Sequence, residues 1–129
     1  TLIGEMAMLH EIQGYGRKAV YMVPLRALAS EKGRAFRKYT DKLGLKIAVR
    51  TGDYDSDEIE LKDQNIIIAT YEKWDSIIRH KPAWLSEVGI VVADEGHQIT
   101  DAERGPTIEI MLTRIDLRHN YGLASCLMF

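Results

Sequence analysis

The chain has 129 residues, 46% hydrophobic and 28% charged, with a net charge of −2; that length holds one domain with one buried core, and the composition excludes a disordered chain. The near-balanced charge gives no general attraction to nucleic acid, so any such binding must come from a local patch. The single cysteine, Cys126, excludes an internal disulfide and with it a disulfide-stapled secreted scaffold.

Leu2 to Ile12 carries apolar residues at Leu2, Ile3, Met6, Leu9 and Ile12, the spacing of one helical face, and Gly14-Tyr-Gly16 ends it. Ala19 to Val23 is a short apolar run stopped by Pro24 and reads as a buried strand. Leu28 to Leu43 is helical in pattern and is followed by Gly44, after which Leu45 to Val49 is a second strand candidate. Gly52 to Asp63 is acidic and polar and starts as a loop, with room for a helical turn. Ile66 to Ala69 is a third strand and Tyr71 to Ile78 a helix. Pro82 to Glu87 is a connection anchored by Trp84 and Leu85, leading into a fourth strand, Ile90 to Ala93. Thr107 to Leu117 is helical behind Pro106, a good first-turn residue, and Tyr121 to Phe129 is a candidate final strand.

Short all-apolar strands separated by helices imply an α/β domain, a parallel sheet with helices on both faces. No repeat, low-complexity tract or linker interrupts residues 1–129. In such sheets the binding residues gather at the carboxyl ends of the strands. That rule selects Pro24 to Arg26, Arg50 to Asp53, Thr70 to Lys73 and Asp94 to His97, which are expected along one rim. The longest apolar runs are about five residues, against the ~20 needed to span a bilayer. With no charged-then-apolar signal at the start, the expected setting is intracellular, with no membrane partner.

The sharpest chemical signal is Ile90-Val-Val-Ala-Asp94-Glu95-Gly96-His97. A hydrophobic strand ending in two carboxylates is what a nucleotide hydrolase needs opposite its phosphate loop: one holds magnesium and the next orients or deprotonates the attacking water. Two solvated acids at a strand end explain the same residues, and on their own the two readings weigh about equally. With His97 at the fourth position, the stretch resembles the DExH box of superfamily 2 helicases.

The resemblance extends over almost the whole chain. Pro24-Leu-Arg26-Ala-Leu28-Ala-Ser30-Glu-Lys32 is similar to motif Ia of that superfamily. Arg50-Thr51-Gly52-Asp53 is similar to its motif Ib region, and Ala69-Thr70-Tyr71-Glu72-Lys73-Trp74-Asp75 to the next nucleic-acid-contacting motif. Phrases such as Thr70-Tyr-Glu-Lys-Trp-Asp-Ser76 and Asp94-Glu-Gly-His-Gln-Ile-Thr-Asp101 most resemble the archaeal Holliday-junction-migration helicases, relatives of the Ski and Brr-type helicases.

The resemblance implies a RecA-like first motor domain of an ATP-dependent DNA helicase, unwinding branched DNA with 3′-to-5′ polarity and using ATP and Mg2+. It implies magnesium coordination by Asp94, general-base action by Glu95, and a link from the nucleotide to the nucleic-acid side through His97. It further implies that Pro24, Arg26, Thr51, Gly52, Thr70 and Glu72 line the path of one strand of single-stranded or branched DNA. Backbone amides and hydroxyls there would hold phosphates without reading sequence. A plain turn or helix cap explains the same contact residues, since Thr70 and Asp53 are good N-cap types.

Three departures qualify the resemblance. The phosphate loop, Gly-x-x-x-x-Gly-Lys-Thr, is absent from the 129 residues; Thr1 matches its final threonine, so the domain reads as partial, truncated before its first helix. Thr1 keeps a hydroxyl for magnesium, but a lone terminal residue is a poor holder of that geometry. At the other end the family carries Ser-Ala-Thr where this chain reads Leu123-Ala-Ser125-Cys126-Leu. The second motor domain is absent as well, so the isolated chain is expected to bind ATP weakly and hydrolyse almost none. Without the phosphate-loop strand an edge beside Gly122 to Leu127 is exposed, which favours a homo-oligomer. Two accounts therefore stand: a part of an ATP-dependent DNA helicase, or a non-catalytic module that binds single strands or a protein partner.

Other signals are bland. Gly14-x-Gly16-x-x-Ala19 follows a helix and precedes a strand, the reverse of a dinucleotide fingerprint. Asp53, Asp55 and Asp57 imitate an EF-hand start, but Glu58 and Gln64 stand where glycine and glutamate are needed. His10, His80 and His119 have no partners at metal-ligand spacing, and most tyrosines, with Trp74 and Trp84, read as core or half-buried anchors.

Overall fold

The first element of the chain is a helix with almost no apolar asymmetry. In the computed structural model, which describes residues 2–52, 61–80, 82–94 and the backbone of 125–128, α1 spans Leu2–Tyr15. Gly16, at φ 66°, closes it. The helix is where the periodicity puts it, but of its predicted apolar face only Ile12 is buried and Leu9 half-buried. Gly4, Met8 and Ile12, at i, i+4, i+8, face the sheet, whereas Leu2, Ile3 and Met6 are 61–70% exposed. A helix apolar nearly all round gives periodicity nothing to discriminate.

β1 (Lys18–Val23) follows and is buried at every position. α2 (Arg26–Leu43) begins two residues before the predicted Leu28 and buries Ala29, Gly33, Phe36 and Thr40. Gly44 ends it in the left-handed region, φ 71°, with its amide on the carbonyls of Asp41 and Thr40. β2 (Ile47–Arg50) is only half-buried, β3 (Ile66–Thr70) buried throughout. α3 (Tyr71–Arg79) starts directly from β3 and buries Tyr71, Trp74, Asp75, Ile77 and Ile78. The predicted connection Pro82 to Glu87 contains a turn of 3-10 helix, Ala83–Glu87, with Trp84 and Leu85 buried. β4 (Val88–Ala93) is again wholly buried, and β5 is Ser125–Met128. Thr1, Asp53 to Asp57, Glu95, His97, His119 and the predicted helix Thr107 to Leu117 lie outside the described residues.

The five strands form one parallel sheet in the order β2-β3-β1-β4-β5. Strand alternation divides the core in two. On one face Tyr21, Ile66, Ile68, Ile90 and Val92 meet Met8 and Ile12 of α1 and Phe36 of α2. There the Tyr21 and Phe36 rings pack edge to face, 5.2 Å apart. On the other face Val20, Met22, Ile67 and Val91 meet Tyr71, Trp74 and Ile77 of α3, and Trp84. Fold class and the coverage of both faces are as the sequence implies.

The register brings Val23 opposite Thr70, and Met22 and Met128 opposite Ala93, so the carboxyl ends finish at one rim. At the opposite pole the buried Lys18 donates from Nζ to the carbonyls of Lys62 and Gln64, at 2.5 and 2.7 Å.

Candidate functional site

A parallel strand that hands its chain to a helix leaves that helix's first amides at the strand's carboxyl end. Two of these handovers, β1 to α2 and β3 to α3, sit side by side because β1 and β3 are paired. Between them and the end of β2 lies a cleft of about 590 Å³, lined by Pro24, Leu25, Arg26, Thr51, Thr70, Glu72 and Lys73 among others.

Five of the six predicted nucleic-acid contacts, Pro24, Arg26, Thr51, Thr70 and Glu72, are therefore brought together. Gly52 follows Thr51 directly but is not among the lining residues. Lys73 and Ser76, one turn into α3, also line the cleft; their place on the Thr70 side of a helix was readable from the pattern.

The two helix starts differ. Leu25, at the N-cap of α2, makes no side-chain cap hydrogen bond, because an apolar side chain has no oxygen to accept the first amides. Thr70 caps α3 in the ordinary way, its Oγ1 accepting from the Lys73 amide at 3.3 Å. The plain capping account of Thr70 thus holds for its hydroxyl, while its position on the cleft wall holds as well. Arg26 and Lys73 contribute cationic side chains and Glu72 an anionic one to the wall.

Asp94, the first residue past β4, is 8% exposed. Its main chain is tied down on both sides. Its amide donates to the Met22 carbonyl at 2.9 Å, and its own carbonyl accepts from the Tyr71 hydroxyl. Its carboxylate Oδ2 accepts from the Tyr21 hydroxyl at 2.6 Å. The two phenols approach from opposite faces of the sheet, Tyr21 from the side of α1 and α2 and Tyr71 from the side of α3. Neither was singled out from sequence. The available signal was a hydroxyl inside two apolar runs, since a buried tyrosine normally finds a partner for its O–H.

Of the other candidates, His10 is exposed and stacks edge to face on Tyr15. His80 is exposed, with Nδ1 2.7 Å from the Ser76 carbonyl oxygen. Tyr21, Tyr71, Trp74 and Trp84 are core residues, and Tyr15 is 62% exposed. Among the described residues no group of three or more His, Cys, Asp or Glu side chains has metal-holding geometry. No described helix is long and apolar enough to cross a membrane.

Comparison with known proteins meets this geometry. ATP-dependent DNA helicase Hel308 of Thermococcus kodakarensis is 48% identical over 115 residues, covering 89% of this chain and 10% of that protein. The protein of the same description from Pyrococcus abyssi is 48% identical over 115 residues, 89% of this chain and 16% of that protein. That from Methanocaldococcus jannaschii is 48% identical over 120 residues, 89% and 10%. The chain thus spans between 10% and 16% of the length of these curated relatives. The family model of the DEAD/DEAH box helicases matches residues 1–129 from end to end. With an acidic strand end beside a cleft walled by two helix starts, and that match over its whole length, the chain belongs to the DEAD/DEAH box helicase family.

Proposed function

We propose that residues 1–129 work as part of the first, RecA-like motor domain of an ATP-driven DNA helicase, in an intracellular setting. The observation that carries this is the convergence of Pro24, Arg26, Thr51, Thr70 and Glu72 on one cleft beside Asp94. The cleft holds the sugar-phosphate backbone of one strand of single-stranded or branched DNA. The uncapped amides at the start of α2, with Arg26 and Lys73, receive phosphates there. A motor that moves along any sequence needs contacts of this indifferent kind. The 3′-to-5′ polarity rests on the resemblance to the Holliday-junction-migration helicases alone.

Magnesium fits the donor chemistry at Asp94, a hard carboxylate oxygen at the sheet rim. One carboxylate, rather than a cage of them, suits an ion that keeps waters and shares nucleotide phosphates. When bound, the ion neutralises charge on the phosphates. Asp94 would hold it, its carboxylate oriented by Tyr21, while Glu95 would take the proton of the attacking water and His97 would link the nucleotide and nucleic-acid sides. The phosphate-loop sequence is not among the 129 residues, so the chain by itself binds ATP weakly and turns over almost none. The outer edge of β5, unpaired among the described strands, pairs copies of the chain.

A second reading, a non-catalytic binding module, is favoured by that same missing loop. Magnesium-dependent ATP hydrolysis, with and without single-stranded DNA and beside Glu95→Gln, separates the two. DNA-stimulated turnover lost in the variant supports the motor and overturns the weak ATP binding and turnover expected of the chain by itself. Single-strand binding with no turnover above the variant leaves the module as the behaviour of this chain, and no binding at all sinks both.

A further inference from the structure

Tyr71 belongs to both sites at once. It is the first residue of α3, between Thr70 and Glu72, which line the cleft. Its own side chain is fully buried, turned away from the cleft and under the sheet. There its hydroxyl donates to the Asp94 carbonyl. We infer that Tyr71 is a positioning residue that transmits occupancy of the cleft to Asp94, an inference that rests on the reading of the cleft as a nucleic-acid site.

The physical route is short. The Thr70 hydroxyl accepts from the Lys73 amide at 3.3 Å, long for an N–H···O bond and thus easily exchanged for a better acceptor. A phosphate oxygen at the start of α3 is such an acceptor, being ionised and met by first-turn amides. When the amide turns to the phosphate, the first turn of α3 readjusts, and Tyr71 is its first residue. Tyr71 has only two side-chain torsions, and its ring is fully buried, so a shift of its backbone is passed on to the hydroxyl. The Asp94 carbonyl follows, because its amide is hinged on the Met22 carbonyl at 2.9 Å. Asp94, which carries the carboxylate on its Cα, thus pivots between a fixed point on β1 and a movable one on α3. Tyr21 holds Asp94 Oδ2 from the other face at 2.6 Å and restores the resting orientation when the cleft empties.

The test is amide resonance mapping of the 129-residue chain titrated with an oligothymidylate, for the wild type and Tyr71→Phe, the variant that removes only the hydroxyl. In the wild type the amides of Thr51, Arg26 and Lys73 shift, and the Asp94 amide shifts in parallel with the same saturation point. In the variant the cleft amides keep their response and that of Asp94 is lost. Trp74→Phe, which alters the packing of the same helix without touching this hydrogen bond, keeps the Asp94 response. A cleft that responds while Asp94 stays silent in the wild type overturns the relay alone, as does an Asp94 response equal in wild type and Tyr71→Phe. Cleft amides that do not shift at all overturn the nucleic-acid reading, and the relay falls with it. The wild-type comparison needs no variant, so a Tyr71→Phe chain that failed to fold would not shield the proposal.

Discussion

Lys18 places an ammonium where most proteins place a hydrocarbon. It is 8% exposed at the start of a strand buried at every position, and its ammonium donates to the carbonyls of Lys62 and Gln64. Burial pushes its pKa below the ordinary 10.5, against the opposing pull of Glu87 and Asp63. A lysine whose folded value is lowered is more readily protonated when unfolded. Between the folded value and 10.5 the unfolded chain therefore binds more protons, and stability rises with pH across that window. Tyr39 works the other way. Burial, with Glu5 second, raises its phenol above the usual 10, so the unfolded chain loses that proton first and stability falls as pH climbs past it. Comparison with Lys18→Met cancels the tyrosine, which both chains keep. Urea midpoints of the two are expected to diverge in favour of the wild type as pH rises toward 10.5; a difference that stays flat would mean that the ammonium is as well solvated there as in the unfolded chain.

At the scale of elements, the seating of α2 on the sheet depends on one missing methyl. A Cβ at Gly33 would come within 2.7 Å of Val49 Cγ2, and a β-branched side chain on a strand has little freedom to withdraw. Helix preference favours alanine over glycine by about 1 kcal/mol, whereas overpacking costs ~1–3 kcal/mol, so the clash wins. Gly33→Ala is expected to lower stability by up to ~2 kcal/mol in denaturant unfolding, and Val49→Ala in the same chain to relieve the overlap. A stabilised single variant would mean that α2 rides freely over β2.

The elements themselves were legible where composition and geometry coincide. Ile66 to Ala69 and Ile90 to Ala93 can satisfy two apolar faces only as interior parallel strands, and both are. Gly44 announced the end of α2 because few other residues take φ 71° without cost. The cleft was legible through the rim rule together with motifs whose order is known. The buried face of α1 was not, since Leu2, Ile3 and Met6 match Met8 and Ile12 in hydrophobicity, and only packing chooses between them. The helical turn at Ala83–Glu87 is too short to have a period. The partners of Asp94 come from residues 73 and 23 positions earlier in the chain, a pairing set by strand order that no local pattern encodes.

For the molecule as a whole, the sheet order leaves β5 at one margin and the half-buried β2 at the other. Among the described strands these two have one neighbour each; unpaired strand edges invite another chain, and β5 continues a fully buried neighbour, β4. Light scattering across a dilution series is expected to reveal a dimer at high concentration that dissociates on dilution. A monodisperse monomer at the highest attainable concentration would remove edge pairing from the account.

The shared direction of the strands has one more consequence. α2 and α3 both begin at the rim where β1 and β3 end, so their peptide dipoles point the same way. Each contributes about half a positive charge there. A chain whose ionised side chains sum to −2 thus aims two positive helix ends at its cleft by the orientation of its main chain, a contribution that no titration or count of lysines would reveal.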